Sequence, residues 1–217
     1  MSKPLSPDRI AYWYFRLNGF FTIENFILHG DSSTNWQVKT DADILGVRFP
    51  FRCEPGFVDD TPFVDQSLSK KPHVIIAEIK RDECKLNGPW SDQTKQNIEY
   101  ALMAIGYFGK EKVIDIAGIL YKDYQYESED VKIQLVLVGS RRNNEYSDTK
   151  KQLVQILFSD ILRFIYRRFV GYRMAKKDHQ QWDKDLVFTT LWEEAGKARD
   201  ETRFVDIAMQ LIKPGYS

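Results

Sequence analysis

The sequence predicts an α/β protein in which helices flank a mixed central sheet. Three observations lead to this class. A helix-start signature lies at residues 6–8, strand-like apolar runs follow at 20–28, 36–49 and 73–80, and amphipathic helical patterns come after residue 90. With 43% apolar residues in a chain of 217, the protein can bury a core of ordinary size, so disordered and collagen-like classes are excluded.

The first element is a helix over residues 7–18. Ser6 supplies a capping hydroxyl and Pro7 occupies the first turn, where a missing N–H costs nothing. Asn18 and Gly19 supply the stop signal.

Three strands follow the first helix. Residues 20–28 are rich in Phe, Ile and Thr and end at a Gly-Asp-Ser turn, so residues 36–49 are expected to form the hairpin partner. A proline-rich connection over 50–72 precedes a third strand at 73–80. The acids of this connection are expected to be solvated: Glu54, Asp59, Asp60 and Asp65.

The second half of the chain adds further elements. A helix is predicted over 91–108 with Gly109 as its end, followed by strands at 113–121 and 131–138. Ser147 is expected to open a long amphipathic helix, and a last helix is placed between Leu186 and Lys213. This arrangement divides the chain into a core at 1–139 with an added strand, and a C-terminal helical extension at 140–217 packed on the same core.

Charge distribution, rather than net charge, indicates a partner. Lys plus Arg and Asp plus Glu are equal at 31 each, but residues 131–177 hold eleven basic and three acidic side chains. Such a surface can face the phosphates of nucleic acid. The basic residues expected to form one patch beside the cleft are Arg141, Arg142, Lys150 and Lys151.

The two cysteines, Cys53 and Cys84, have no metal-ligand spacing and suggest no disulfide framework. A reducing, cytoplasmic setting is therefore expected. The N-terminus lacks an apolar signal segment, and charges interrupt the apolar stretch 153–170, so no membrane partner is predicted.

Charged side chains lie on two strands that are otherwise apolar. Glu78 and Lys80 share one side of the third strand, and Asp41 and Asp43 share one side of the second. Isolated charges in a sheet cost several kcal/mol unless they are paired or bound to metal. Carboxylates on neighbouring strands suit Mg²⁺, and a nearby lysine suits an attacking water, so these residues indicate a metal-dependent phosphodiesterase centre. A second Glu-x-Lys, at residues 83–85, lies in a charged stretch and is expected to face solvent.

These residues, in this order of elements, resemble the PD-(D/E)xK nuclease superfamily, also called restriction-endonuclease-like. The resemblance covers residues 7–121 and implies an αβββαβ core. It implies that Asp43, Glu78 and the Ile79 carbonyl bind Mg²⁺, for which Mn²⁺ substitutes, and that Lys80 serves the water. The family often carries a glutamate on its first helix, which is missing here.

Gln96 and Tyr100 also match the Gln-x-x-x-Tyr of RecB-type exonucleases, and at i and i+4 they are expected to share a helix face. Gln96 could hold a phosphate or the attacking water. Whether Asp41 or Glu24 joins the centre is left open.

The resemblance implies a Mg²⁺-dependent nuclease, with DNA favoured over RNA as substrate. Roles in restriction, repair or defence fit equally, as do a homodimer or a larger nuclease complex. The alternative is a catalytically inactive nuclease-fold domain that binds nucleic acid or a protein partner. The presence of all three core residues favours catalysis.

Overall fold

A computed structural model describes residues 4–30, 38–63, 70–146, 153–175 and 184–212. Within these ranges six strands form one sheet. The helices are α1 (Pro7–Leu17), α2 (Gly88–Ser91), α3 (Asn97–Ile105), α4 (Lys110–Asp123), α5 (Phe158–Ala175), α6 (Leu186–Lys197) and α7 (Glu201–Leu211). The strands are β1 (Phe21–His29), β2 (Val38–Arg48), β3 (His73–Ile79), β4 (Gln125–Glu127), β5 (Lys132–Gly139) and β6 (Val154–Leu157).

The sheet is mixed. Strands β1, β2 and β3 form an antiparallel meander, and β5 lies parallel to β3 on its other side. The opposite edge of β5 pairs with β4 near its start and with β6 near its end. The predicted α/β class with a mixed central sheet is confirmed.

Helices cover both faces of this sheet. The core on the face of α1, α5, α6 and α7, called the α5 core, includes Tyr14, Ile44, Ile75, Val136, Phe158 and Phe188. The core on the face of α3 and α4, called the α4 core, includes Ala42, Leu45, Ile76, Ile98, Ile116 and Leu135. All seven residues of β3 are buried because both of its faces are covered. This explains why its sequence is continuously apolar rather than alternating.

The first half of the chain follows the sequence closely. Helix α1 begins as predicted, with the Ser6 hydroxyl accepting a hydrogen bond from the Arg9 N–H at 3.4 Å. Strands β1, β2 and β3 lie within one or two residues of the predicted bounds, and β5 is the predicted strand 131–138 shifted by one residue. The hairpin pairing of β1 with β2 is also confirmed.

The strand predicted at 113–121 is wrong, because these residues belong to helix α4. Their β-branched content favoured a strand, but their burial follows a helical period. The buried side chains are Val113, Ile116, Ala117 and Leu120, at spacings of three and four residues. The strand that follows the helices and lies parallel to β3 is β5.

The helix predicted over 91–108 is broken into shorter pieces. Helix α2 and a 3₁₀ turn precede α3, and Gln96 between them adopts a left-handed backbone with φ of 58°. Gly106, not Gly109, ends α3, again in the left-handed conformation. Gly109 precedes the first turn of α4.

The C-terminal part is not helical throughout. Ser147 lies outside the described residues, and Val154–Leu157, predicted to be helical, form strand β6. Helix α5 begins only at Phe158, and the last predicted helix is two helices, α6 and α7, with Asp200 capping the second. Strand β6 belongs to the same sheet as the first half, and α5 shares a core with α1. No helix of the described residues is both long and apolar enough to span a bilayer.

The acids of the connection after β2 are engaged rather than solvated. Asp59 is contacted by the guanidinium groups of Arg48, Arg52 and Arg168. Tyr14 donates a hydrogen bond to Asp60 at 2.6 Å. Glu54 accepts a hydrogen bond from the Tyr172 hydroxyl at 2.8 Å and pairs with Arg52. The expectation of solvation is therefore wrong for Glu54, Asp59 and Asp60, and Asp65 lies outside the described residues.

Gly118 tests the helical assignment of α4. It lies inside the helix, and a Cβ built there meets only Gln93 Nε2, at an ordinary contact of 3.8 Å. We expect Gly118→Ala to raise the free energy of unfolding in urea by about 0.5–1 kcal/mol, because alanine loses less entropy in a helix.

Gly106→Ala is the matched control, because the φ of Gly106 is 70°. This change should lower stability by roughly 1 kcal/mol, since left-handed backbone is costly for alanine. Equal effects of the two substitutions would contradict the helix ends described here.

Candidate active site

Strands β2 and β3 bring three predicted residues together at one end of the sheet. The Ile79 N–H donates a hydrogen bond to Asp43 Oδ2 at 2.6 Å, which joins the two strands beyond their last backbone pair. Lys80 Nζ lies 2.5 Å from Glu78 Oε1. Asp43, Glu78 and Lys80 therefore form one contiguous group.

A local distortion of the hairpin places Asp43. Ala42 packs in the α4 core and Ile44 in the α5 core, although residues two apart on a regular strand share a face. The alternation of β2 is therefore interrupted at Asp43. On β1, Asn25 has a φ of 49°, and the paired residues of the two strands skip Asn25 and Asp43. The irregular hairpin lets the Asp43 carboxylate reach the backbone of β3 instead of standing upright on the sheet.

Burial sets the charge state of the two carboxyl groups. Glu78 is only 3% exposed, and desolvation by burial raises its pKa to about 7, although the hydrogen bond from Lys80 opposes this. The negative charge of Asp43 raises the Glu78 pKa further. Burial also raises the pKa of Asp43, against the N–H of Ile79 and the charge of Lys80. The two acids are thus removed from water to different degrees and repel each other when ionised, and the charge of Lys80 opposes both pKa shifts.

The two acids left open by the sequence lie differently. Asp41 is exposed on β2, and its charge adds to the elevation of the pKa of Asp43 and of Glu78. Glu24 of β1 is paired with the guanidinium of Arg9. Asp41 is therefore an electrostatic neighbour of the centre, whereas Glu24 belongs to an ion pair beside it.

Arg9 and its partners were missed by the sequence analysis. Its Nε donates to Asp185 Oδ2 at 3.0 Å, and Asp185 also caps α6 by accepting from the Phe188 N–H at 2.9 Å. Arg9 thereby ties the C-terminal helices to this end of the sheet. Nothing in the local sequence indicates a contact between residues 176 positions apart.

Asp8 in the first turn of α1 is a further missed acid. Its charge contributes to the raised pKa of Asp43, so Asp8, like Asp41, lies in the electrostatic surroundings of the centre. Asp8 belongs to the helix-start signature of residues 6–8. The sequence analysis assigned it only to that helix start and not to the candidate centre.

Gln96 lies near the same end of the sheet but not in contact with the acids. It is exposed ahead of α3, so it does not share a helix face with Tyr100; instead its carbonyl accepts from the Tyr100 N–H at 3.1 Å. Both line a cavity of about 440 Å³ with the buried Glu99 and with Lys110. Within the described ranges, no hydrogen bond joins the Gln96 side chain to Asp43, Glu78 or Lys80. Its assignment to the site stays a prediction.

The predicted basic patch is only partly described. Arg141 is 72% exposed at its side chain and lies 3.6 Å from Glu83, whereas Arg142 Nη1 donates to the Gln155 carbonyl at 3.3 Å. The two arginines thus have different neighbours. Lys150 and Lys151 lie outside the described residues. In the second Glu-x-Lys, Lys85 is exposed and Glu83 half-exposed.

Two carboxylate oxygens of the centre could hold a small divalent cation. Among the described residues no three His, Cys, Asp or Glu side chains form a ready-made metal group. Mg²⁺, however, is commonly held by one or two carboxylates together with water. Asp43 Oδ1 and Glu78 Oε2 have no hydrogen bond within the described ranges, so each acid keeps one oxygen for an ion. The contact observed for Ile79 uses its N–H; the Ile79 carbonyl stays a predicted ligand.

The comparisons with known proteins found no relative of this chain. No protein-family model, no curated protein and no solved structure matches this chain. What the site does is therefore inferred from the contacts, burial and charges of its own residues.

The raised Glu78 pKa predicts how stability depends on pH in a metal-free buffer. The unfolded chain ionises this group near its usual value of 4.5, whereas the folded chain keeps the proton up to about 7. Glu78 therefore contributes stability below pH 4.5, and this is lost as the pH rises to about 7, by up to about 1.4 kcal/mol per pH unit. Denaturation in EDTA across this interval should show the fall.

Glu78→Gln should flatten this dependence, because the amide does not titrate. Glu83→Gln, in the half-exposed second copy of the motif, is the matched control and should leave the slope unchanged. A slope that survives Glu78→Gln would show that another group causes it.

Proposed function

We propose that this protein is a metal-dependent nuclease that hydrolyses phosphodiester bonds, with DNA as the favoured substrate over RNA. The observation that carries the proposal is the buried Glu78 with the Lys80 ammonium against it, beside the half-buried Asp43, which is held by the Ile79 N–H. Two desolvated carboxylates are unfavourable together, and a cation between them relieves the repulsion.

Each residue has a distinct task in this proposal. Asp43 Oδ1 and Glu78 Oε2 would hold Mg²⁺, and Mn²⁺ in its place, with the Ile79 carbonyl as a further ligand. A bound divalent ion would supply charge neutralisation at the phosphate and a more acidic water. Lys80, which is 31% exposed at its side chain, reaches both Glu78 and solvent. It can therefore orient an attacking water and stabilise negative charge developing on the phosphate.

The position of the centre also supports the proposal. Open α/β sheets bind ligands beyond the carboxyl ends of their parallel strands, and Glu78 and Lys80 lie at that end of β3. The chain runs from α1 through the antiparallel β1, β2 and β3, then through α2, α3, α4 and the short β4 to β5, parallel to β3. This order is compatible with the αβββαβ order that the PD-(D/E)xK resemblance implies, if α2 to α4 take the place of its second helix, β5 takes the place of the predicted 113–121, and β4 is an addition.

The free cysteines favour a reducing, cytoplasmic location as part of the proposal. Cys84 is buried and its pKa is raised to about 11, so its thiol stays protonated, while Cys53 is exposed and unbonded. Roles in restriction, repair and defence are each compatible with such a nuclease. A homodimer or a larger nuclease complex is compatible with each of these roles.

A second candidate is a domain of the same architecture that binds nucleic acid or protein without cutting. It is favoured by the lack of a three-acid group among the described residues and by the Lys80–Glu78 ion pair, which occupies one ligand oxygen. Calorimetry with Mn²⁺ separates the two candidates, because the non-catalytic domain has no reason to bind the ion.

Asp43→Ala and Glu78→Ala should each abolish Mn²⁺ binding in calorimetry, because each removes a carboxylate ligand. Neither should lower the metal-free melting temperature by much, since each also removes carboxylate repulsion. Glu83→Ala, in the second motif copy, is the control and should bind Mn²⁺ as the parent does. Parental affinity in both site variants would refute the assignment.

Lys80→Ala should retain Mn²⁺ binding but lose turnover on plasmid and single-stranded DNA by on the order of 10²-fold or more, as expected on removal of a positioned acid–base or electrostatic group. Lys85→Ala, with an exposed lysine, is the control. EDTA should stop cleavage by every variant. Cutting by Lys80→Ala at the parental rate would exclude Lys80 from the reaction.

A further inference from the structure

A groove lies along α5, outside the centre described above. Its volume is about 650 Å³, and it is lined by segment 56–62, by Arg142, by Gln155 and Ile156 of β6, and by one face of α5 from Asp160 to Gly171. This α5 groove is large enough for one or two nucleotides. It is part of neither the candidate metal site nor the packed interior of the hydrophobic core.

Three arginines of the α5 groove are positively charged and have partners that a phosphate group could replace. Arg163 and Arg167, one turn apart on α5, have side chains that are 48% and 70% exposed. Their partners are Asp160 and Glu201, and such exposed ion pairs contribute about 0–1 kcal/mol. Arg142 is exposed and bonded only to a backbone carbonyl among the described residues. Phosphate groups can therefore replace these contacts at little cost.

Beneath them, Arg168 is buried with unfilled hydrogen-bonding capacity. It is 2% exposed and held between the rings of Phe57 and Phe164, each 5.1 Å from its guanidinium carbon. Its Nη2 bonds to Asp59 at 3.0 Å, but Nε and Nη1 have no hydrogen-bond acceptor within the described residues, and Nη1 is 3.8 Å from Glu54. Asp59 is also shared with Arg48 and Arg52, and Asp60 and Glu54 lie nearby, so charges at the floor are balanced and the positive charge open to a phosphate is that of the exposed arginines above.

The opposite wall offers apolar surface for bases. Val58 is 80% exposed, and Phe57 and Pro62 line the groove beside it. Positive charge that follows a backbone, together with apolar and aromatic surface, is the pattern by which proteins bind single strands without reading sequence. Duplex bases are stacked inside the helix and could not use this wall.

The sheet register places this groove close to the candidate centre. Ile79, Val138 and Ile156 are paired in one row across β3, β5 and β6. Two strand spacings, about 10 Å, separate the backbones at the row's ends. The row itself faces the α5 core, whereas Glu78 shares the α4 side of β3 with Ile76, so a strand reaches the centre around the carboxyl ends of the strands. A strand crossing from one to the other needs only a few nucleotides.

We propose that the α5 groove binds a single-stranded segment of nucleic acid beside the bond that is cut, with Arg142, Arg163 and Arg167 on its phosphates. The proposal rests on the proposed function for the identity of the substrate. It gives the nuclease a single-strand preference that its metal centre alone does not explain.

The test compares two charge-reversed variants of the full chain in EDTA. Arg163→Glu with Arg167→Glu changes the groove, and Lys112→Glu with Lys122→Glu makes the same charge change on exposed residues of α4, across the sheet. Binding of a short fluorescein-labelled DNA strand is followed by anisotropy over a range of salt. The groove variant should bind about tenfold or more weakly and lower the slope of log K against log salt by about 1.4, the value for two phosphate contacts on a single strand. The α4 variant should stay within about twofold of the parent in affinity.

Several outcomes overturn the proposal. Equal affinity of the two variants would do so, as would failure of the parent to bind the strand, or a loss seen with the annealed duplex but not with the single strand. Arg163→Gln with Arg167→Gln gives the same test if the reversed variant melts at a lower temperature. The result is separable from the proposed function. If the parent binds the strand but does not cut it in Mg²⁺ or Mn²⁺, the nuclease proposal is wrong, whereas the proposal that the α5 groove binds a single strand is retained.

Discussion

The burial of β3 between two cores is the constraint on which the rest of this structure depends. Its apolar residues face helices on both sides, so the strand can form only if both helical layers are in place. Glu78 interrupts this strand with a carboxylate that is 3% exposed. A carboxylate in that position is costly to ionise. The nearby Lys80 lowers this cost, whereas the charge of Asp43 raises it.

Arginines join the C-terminal half to this sheet. Arg9 links α1 to Glu24 and to the cap of α6, while Arg168 of α5 holds the connection after β2 through Asp59. Such buried or half-buried ion pairs are weak evidence for stability, because desolvation offsets their attraction. What they provide here is geometry, because planar guanidinium groups bridge two carboxylates in fixed directions. The α5 groove is a product of this geometry, since Arg168 holds one wall against the other.

The sequence was a good guide where one physical signal dominated. Helix α1, strands β1 to β3 and the group Asp43, Glu78 and Lys80 followed from capping and from apolar runs carrying charges. Helix α4 was missed because its β-branched composition and its helical burial period disagree, and the period was the better indicator. Strand β6 was missed because four residues leading directly into α5 extend a helical pattern. The contacts of Arg9, Arg168 and Asp59 join residues that are far apart in the chain, so no periodic pattern in the sequence indicates them.

The candidate centre is best understood as a competition for Glu78. A proton, the Lys80 ammonium and a divalent cation would each neutralise the same buried carboxylate, and the pKa of about 7 keeps the proton in this competition near neutral pH. An ion bound as proposed would have to displace the proton and share the oxygens with Lys80, so its apparent affinity would rise with pH. Because Asp43 meets the backbone of Ile79 through one oxygen, its direction is fixed before any ion arrives. Under the proposed function, the two acids would therefore have unequal roles: Asp43 would set where a cation lies, and Glu78 would set the pH above which the cation stays bound.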